Sequence, residues 1–420
     1  MVDSDIAEPP SNPRIHKYGL IGTLYVAQAI PLGFFITAMP VILRSEGLPI
    51  EYVGLFSAIA FPWLLKFLWA PLVDRIRWPF SSGHYLSWIL PLQGLCIVSV
   101  LGLSALDLGP QLPAVVALAA VFMVLSATQD IATDGLSVRA LEEDERGPGN
   151  GIQVGGYYLG QVLGGGLMLI LFARLGWSMV FLVMAVLLAL PIPWALRFRE
   201  PVAGSADPDP KSARVGFGAL RRFFNRPGTL GWVSLLLLFR SGETMATFSF
   251  NQLLLELGLD LADIGLLAGM LYAVGALTGS LAGGALVPRL GRRRALLGFA
   301  ALQAVAILAY LLPTGTDPSP LLVAGPLALV AFAGGASTAA LYTAMMDASR
   351  PETAGTDFTI QQSLCAVGPV IGTSLSGFSV AGWGFAGHFV LCAAVACGAF
   401  FLAFFQTLPG DRRVLAPLLP

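Results

Sequence analysis

The sequence predicts an all-α membrane protein with 12 transmembrane helices arranged as two six-helix bundles. Three observations support this fold class: the composition, the apolar runs and the distribution of positive charge. Of 420 residues, 56% are hydrophobic and only 12% are charged, and the mean hydropathy is +0.76. Because a soluble domain carries about 25% charged residues, most of this surface must face lipid.

Twelve mainly apolar runs are each long enough to cross a bilayer, which takes about 20 residues. They lie at 18–43, 51–73, 85–106, 112–140, 150–173, 176–196, 229–254, 262–287, 295–313, 320–347, 357–379 and 384–407. The segment between the sixth and seventh runs is rich in Pro, Gly, Ser and Asp, which is typical of a flexible linker. The predicted organisation is an N-terminal segment 1–17, a first bundle 18–196, a linker 197–228, a second bundle 229–407 and a C-terminal segment 408–420.

Positive charge orients the bundle, since loops on the cytoplasmic side collect Lys and Arg. Of the 24 Lys and Arg residues, only Arg44 and Arg174 fall in the loops of one side, and only Lys66 and Arg240 fall in the interior of spans. Arg139, at the end of the fourth span, is counted with the loop that follows it. The other 20 fall in the termini, the linker and the loops of the opposite side. We therefore expect both termini to be cytoplasmic, in a multi-pass protein of the bacterial inner membrane.

Several function classes lack their sequence signals. Cys96, Cys365, Cys392 and Cys397 lie in apolar runs without C-x-x-C spacing, so we expect neither disulfides nor a metal site. There is no G-x-x-x-x-G-K-[ST] phosphate loop, which excludes transport driven by ATP within this chain. There is also no basic patch with interleaved aromatic residues for nucleic acid. We expect a monomeric transporter with a small-molecule substrate and no cofactor, driven by the proton motive force, and not an enzyme.

Charges in the middle of spans are costly and mark functional sites. Lys66 lies in the second span, and Asp130 and Asp134 share one face of the fourth at i, i+4 spacing. Lys66 and Asp130 lie at similar depth, so they can pair. The pair is either a static bond between two helices or a proton-coupling site whose carboxylates titrate together. An intramembrane aspartyl enzyme is a third, disfavoured hypothesis. The two catalytic carboxylates of an aspartyl protease share a proton across facing strands or helices, whereas Asp130 and Asp134 lie on one helix.

Arg240 and Glu243 form an i, i+3 pair near the middle of the seventh span, where transporters of two-bundle plan bind substrate. Arg240 either contacts an anionic group of the substrate or pairs internally with Glu243. Weaker substrate-binding candidates are polar side chains that serve equally well in hydrogen bonds between helices. They are Gln28, Gln129, Tyr157, Tyr158, Gln161, Asn251 and Gln361.

The two halves repeat a loop motif. Asp74-Arg75 follows the second span, and Leu286-Val-Pro-Arg-Leu-Gly-Arg follows the eighth, with Pro288 in place of the acidic residue. This repeat resembles the Gly-x-x-x-Asp-Arg-x-Gly-Arg loop of the major facilitator superfamily, which is built of two six-helix halves. The resemblance implies that Asp74 and Arg75 belong to a gating loop.

Two further runs narrow the resemblance. Pro62-Trp-Leu-Leu-Lys-Phe-Leu-Trp-Ala-Pro-Leu-Val-Asp74 and Ser126-Ala-Thr-Gln-Asp-Ile-Ala-Thr-Asp134 are similar to the AmpG-related permease branch of that superfamily. Within it, muropeptide permeases commonly carry two extra helices, whereas RhtX/FptX-type siderophore permeases have twelve. The runs 146–157 and 355–362 look closer to the second type. The resemblance therefore implies a proton-coupled siderophore importer, with import of anhydro-amino-sugar peptides as the alternative.

Overall fold

The computed structural model describes residues 13–48, 56–79, 83–201, 218–315 and 319–406, and all its regular elements are helical. Eight helices of this described part are long and apolar enough to cross a membrane. Two of them, Arg146–Arg197 and Pro351–Phe405, have 52 and 55 residues, about twice the length that one span requires. Each of these contains a non-helical glycine and holds two spans. Two further spans are interrupted helices, which brings the number in the described chain to twelve.

The first six spans are α1 to α6. Helix α1 runs from Arg14 to Ser45 and begins before the predicted residue 18. Helix α2 consists of the short pieces Ser57–Ala60, Phe61–Leu65, Lys66–Leu68 and Ala70–Arg75. Helices α3 and α4 are Leu86–Ser104 and Leu112–Ala140. Helices α5 and α6 divide Arg146–Arg197 at Gly176, whose φ of 79° requires glycine.

The second six spans are α7 to α12. Helix α7 has two pieces, Thr229–Phe239 and Ser241–Glu256, that meet at Arg240. Helix α8 comprises Leu261–Ile264, Gly265–Leu271 and Tyr272–Leu290. Helices α9 and α10 are Arg292–Leu308, continued by Ala309–Gly315, and Pro320–Ala348. Helices α11 and α12 divide Ala354–Phe405 at Gly384, where φ is 65°. A short helix, Gly218–Phe224, precedes α7.

The fold class predicted from the sequence is therefore confirmed. The predicted boundaries of the bundles, the linker and the terminal segments stay predictions. Residues 1–12, 202–217 and 407–420 lie outside the described chain, as does the predicted start of the second span at residue 51.

Glycines set the distance between α1 and α5. Gly160 faces Val26 and Ala29, and Gly164 lies against the backbone of Ile30 and Phe34. A side chain at either glycine would overlap these atoms, so the helices touch through their backbones. This is the close small-residue packing that the four-residue glycine spacing predicts.

The two halves pack together at one end, which we call the basic end because Arg139, Arg146 and Arg292 lie there. One apolar cluster at this end contains residues of both halves, from Leu20 to Ala403. Toward the opposite end, where α1 finishes at Ser45, the first half has a separate core and so does the second half. The described halves are therefore closed at the basic end and separated at the opposite end.

Candidate functional site

The charged cluster in the first half consists of Lys66 of α2 with Asp130 and Asp134 of α4. Lys66 Nζ donates to Asp130 Oδ2 and lies 3.7 Å from Asp134 Oδ2. The three side chains are between 0% and 4% exposed. The contact between Lys66 and Asp130 that their depth suggests is thus present. Its role in proton coupling stays a prediction.

Asp134 receives further donors from three other helices. Tyr25 of α1 donates its hydroxyl to Asp134 Oδ1 at 2.5 Å, and Gln153 of α5 donates at 3.3 Å. Gln362 of α11 donates at 3.4 Å and accepts from Lys66 Nζ at 2.7 Å. Asp134 Oδ2 is buried without a hydrogen bond in the structure. One carboxylate oxygen therefore accepts three hydrogen bonds, and the other lies 3.7 Å from the Lys66 ammonium.

A cavity of about 570 Å³ lies between the two halves, directly above this cluster. Its size is typical of a small-molecule site. Its walls combine aromatic rings with a few polar and charged groups. The polar and aromatic lining residues are Tyr25, Gln28, Phe61, Trp63, Lys66, Asp130, Gln153, Tyr157, Tyr158, Arg240, Thr338, Tyr342, Gln362 and Ser363. Because the halves are packed at the basic end, the cavity faces the opposite end.

Among the residues that the structure describes, Arg240 is the only arginine that lines this cavity. Its Nη2 lies 3.9 Å from Glu243 Oε2, and its buried Nε has no hydrogen-bond partner. Glu243 instead accepts a hydrogen bond from Tyr272 of α8. The break of α7 at Arg240 places the guanidinium beside the cavity, while Glu243 is buried behind it. The internal pair is thus present but loose, and Arg240 retains donors for a ligand.

Three of the weaker candidates, Gln28, Tyr157 and Tyr158, do line the cavity. Gln129 and Gln361 are not among the described residues that line the cavity, and substrate contact by either amide stays a prediction. Gln129 donates to Gln93 inside the first half. Gln361 accepts from Trp232 and donates to three oxygens within the second half. Both amides are at most 1% exposed and serve packing between helices.

Glu243, Gln161 and Asn251, also candidate substrate contacts, are absent from the cavity wall of the described chain as well, so their contact with substrate stays a prediction. Glu243 contacts Arg240, which itself lines the cavity. Distance along the helix explains the other two. Gln161 lies one turn beyond Tyr157 and borders Gly33 of α1, whereas Asn251 lies three turns beyond Arg240.

The two predicted gating residues, Asp74 and Arg75, have different surroundings in the structure. Asp74 accepts hydrogen bonds from the backbone N–H groups of Gly355 and Thr356, at 3.1 and 2.7 Å, and from the Tyr85 hydroxyl at 2.7 Å. It therefore binds the N-terminus of α11, where the helix dipole favours an anion, and joins the halves at the basic end. Arg75 is exposed. Arg146 of α5 adds a second link between the halves, since it bonds Asp347 of α10 at 2.7 Å. Arg292 bonds the same carboxylate at 2.7 Å from within the second half.

Gln362 is the site residue that the sequence alone does not reveal. It follows Gln361 directly, and an uncharged amide in a span carries little signal. Trp63 and Tyr342, which line the cavity, are hidden in the same way among apolar neighbours. No local spacing in the sequence relates Gln362 to Asp130 or Asp134, because the contact joins α11 to α4.

The sequence matches the profile of one protein family over most of its length. Residues 21–368 and 237–418 match the profile of the Major Facilitator Superfamily. The chain belongs to this superfamily. As a member, it is a multi-pass membrane transporter, and the two six-helix bundles around a central cavity are the arrangement on which such transporters operate.

Two relatives are similar to this superfamily member over most of its length. It is 31% identical over 373 residues to the anhydromuropeptide permease of Escherichia coli (strain K12), covering 88% of the chain and 75% of that protein. It is 29% identical over 378 residues to an uncharacterized protein of Haemophilus influenzae, covering 87% of the chain and 89% of that protein. The AmpG-like relationship is therefore confirmed. The prediction of a siderophore importer is wrong, because the relative of named function is a muropeptide permease.

The number of spans does not distinguish siderophore permeases from muropeptide permeases. Twelve spans favoured the siderophore type, yet 88% of this chain aligns with a longer permease. Extra length in a relative therefore does not separate the two substrate classes.

Solved structures show the same fold. The chain superimposes on the fucose transporter FucP in its outward conformation with a TM-score of 0.70 and 14% identity, covering 93% of this chain and 99% of that one. For the human organic anion transporter MFSD10, the TM-score is 0.67 with 17% identity, covering 94% and 100%. These similarities confirm the architecture.

Proposed function

We propose that this protein is a proton-coupled permease that imports anhydromuropeptides across the bacterial inner membrane into the cytoplasm. The single observation that carries the proposal is the 31% identity to the Escherichia coli anhydromuropeptide permease over 88% of the chain. A second relative, from Rickettsia felis, is named a putative transporter AmpG and is 23% identical over 73% of the chain.

The cavity suits such a substrate. An anhydromuropeptide joins an amino sugar to a short peptide, so it presents apolar ring faces, amides and at least one carboxylate. Aromatic side chains such as Trp63, Tyr157 and Tyr342 offer flat surfaces for the sugar, and Arg240 offers a planar pair of donors for a carboxylate. We expect the peptide end to lie toward Arg240 and the second half.

The cluster below the cavity supports proton coupling. A cation shared by two buried carboxylates makes the protonation of each depend on the other. Lys66 and Asp130 both border the cavity, so a bound substrate lies next to the titrating groups. We expect a monomer to suffice, because each chain contains both halves and the whole site.

The proposal is tested by uptake of labelled anhydromuropeptide into proteoliposomes with an imposed proton gradient. We expect accumulation that collapses with a protonophore and that is inhibited by unlabelled anhydromuropeptide but not by an unrelated dipeptide. Absence of uptake by active, correctly inserted protein would contradict the proposed substrate. Uptake that ignores the gradient would contradict proton coupling alone.

The role of Arg240 is tested in the same assay with Arg240→Lys. An ammonium keeps the charge but not the two parallel donors of a guanidinium. We expect the specificity constant for uptake to fall by about tenfold, the factor of one charge-assisted hydrogen bond. Arg174→Lys, at an exposed position outside the cavity, is the matched control. Near-normal uptake by Arg240→Lys would leave Arg240 with a structural role.

A further inference from the structure

Gln362 connects the charged cluster of the first half to α11 of the second half. Its Oε1 accepts from Lys66 Nζ at 2.7 Å, and its Nε2 donates to Asp134 Oδ1 at 3.4 Å. In the described chain, no other side chain of the second half makes a hydrogen bond or ion pair with these charged groups. Gln362 also lines the cavity. One amide thus touches the titrating groups, the substrate site and the interface between the halves.

We infer that Gln362 is the positioning residue that transmits protonation of the cluster to the packing of the two halves. The inference rests on the proposed proton coupling and adds to it the element that moves. Protonation would change a bond within the first half only, if Lys66, Asp130 and Asp134 contacted nothing beyond it. The contact with α11 makes the same event act on both halves.

The direction follows from the two hydrogen bonds. A bond to an ionised carboxylate is roughly twice as strong as one between neutral groups. When Asp134 takes up a proton, its oxygen becomes a poorer acceptor, and Gln362 Nε2 loses a charge-assisted bond. The bridge to α11 then weakens, which favours opening of the basic end. Deprotonation restores the bridge and favours the closed basic end of this structure.

Tyrosine hydroxyls and charged groups also surround the two carboxylates. Tyr25 from α1 donates to Asp134, Lys66 from α2 faces both carboxylates, and Asp130 is the second carboxylate of the cluster. The hydroxyls of Tyr157 in α5 and Tyr342 in α10 interact electrostatically with the same cluster. Most of these groups belong to the first half. Tyr342 belongs to the second half but makes no hydrogen bond to the cluster in the described structure, so it offers no comparable link.

The experiment measures the opening of the basic end as a function of pH. Spin labels at Ile76 and Glu352, which are exposed residues on opposite halves of that end, report the distance between the halves in full-length protein. The labels require a background without Cys96, Cys365, Cys392 and Cys397. The variants are Gln362→Met, which keeps the side-chain volume without the amide, and Gln362→Leu as a second removal.

In the parent protein we expect the ratio of open to closed basic end to rise by about tenfold as Asp134 becomes protonated, the effect of one charge-assisted hydrogen bond. Gln362→Met should equal the parent at low pH, where the bond is already weak. At high pH it should be more open, so that its ratio scarcely depends on pH. Asp134→Asn should also be insensitive to pH. Gln303→Met, whose amide bonds Ser337 within the second half, should follow the parent curve.

Two results would overturn the inference. If Gln362→Met and Gln362→Leu shift the ratio equally at every pH, or not at all, Gln362 is an ordinary packing contact, although proton coupling stands. If the parent ratio itself is independent of pH, both the inference and the proposed coupling fail. The distances need no substrate, so neither result depends on the identity of the transported molecule.

Discussion

At the scale of single residues, the cost of burying charge explains the arrangement around Lys66. An ammonium in a low-dielectric interior requires compensation, and here two carboxylates and one amide oxygen surround it. Two carboxylates against one cation leave the cluster with one excess negative charge when all three ionise. Uptake of a single proton neutralises it, which makes the cluster suited to bind one proton per cycle.

We therefore expect Asp130→Asn and Asp134→Asn to abolish accumulation driven by a proton gradient, while at least one of them retains downhill exchange of substrate. An amide keeps the shape of the carboxylate but cannot gain or lose the coupled proton. Gradient-driven uptake and exchange are measured side by side for both variants and for Lys66→Met combined with Asp130→Asn.

A purely structural ion pair gives a different pattern in these assays. Removing one partner of a buried pair is far more destabilising than replacing both. The single variants would then lose exchange as well, or express poorly, and the double variant would recover. Full recovery of gradient-driven uptake in the double variant would remove Lys66 and Asp130 from the proton switch.

At the scale of helices, the sequence predicts where spans lie better than how they are built. Hydropathy and length identify α3 and α4 within two residues of their ends. The same pattern treats α2 and α7 as continuous, although α2 contains two 3₁₀ segments near Pro62 and Pro71, and α7 breaks at Arg240. Apolar composition does not record such breaks. They matter here because the irregular segments carry Lys66 and Arg240.

The site residues that the sequence reveals are the charged ones, whereas an uncharged amide in a span is not recognisable from the sequence. Lys66, Asp130 and Arg240 were predictable because a charge in a span is costly wherever it faces. Gln362 and Gln361 have almost identical sequence signals, yet one faces the cavity and the other is packed inside the second half. A difference of one residue rotates a helical side chain by about 100°. Only the packing of α11 against α2 and α4 decides between them.

Two glycines test the distinction between contacts within a half and contacts between halves. Gly284 of α8 faces Gly147 and Gly151 of α5 across the interface, and a Cβ there would lie 2.6 Å from the Gly147 carbonyl oxygen. Gly164 packs inside the first half. We expect Gly284→Val to open the basic end with little change in melting temperature. Gly164→Val should instead destabilise the protein, by about 1–3 kcal/mol as for other overpacked sites.

The labels at Ile76 and Glu352 and a thermal unfolding curve provide the two measurements for each variant. Equal loss of melting temperature in both variants, with no change of distance in Gly284→Val, would contradict the division. The interface between α5 and α8 would then be a permanent part of the fold.

At the scale of the whole molecule, the closed basic end is a property that one sequence cannot reveal. The same chain must also form a state with the opposite end closed if it moves substrate by rocking its halves. The contacts of Asp74 with α11 and of Asp347 with Arg146, which join the two halves, belong to the state described here. The distribution of charge, in contrast, is shared by all states and determines orientation.

The last prediction concerns that orientation. Twenty of 24 Lys and Arg residues belong to the termini, the linker and the loops of one side, and an excess of positive charge marks the cytoplasmic side. Single cysteines at Ser205, in the linker, and at Asp260, between α7 and α8, should therefore react with an impermeant maleimide from opposite sides of the membrane. In intact cells freed of their outer wall, only the Asp260 position should label. Ser205 should label after the membrane is opened. The native cysteines are removed first, since Cys397 is exposed.

Labelling of both positions from one side would show that a span is missing between them. Labelling with the two sides exchanged would show that the protein has the inverted orientation. The cavity described here would then open to the cytoplasm, which contradicts uptake from outside in this state.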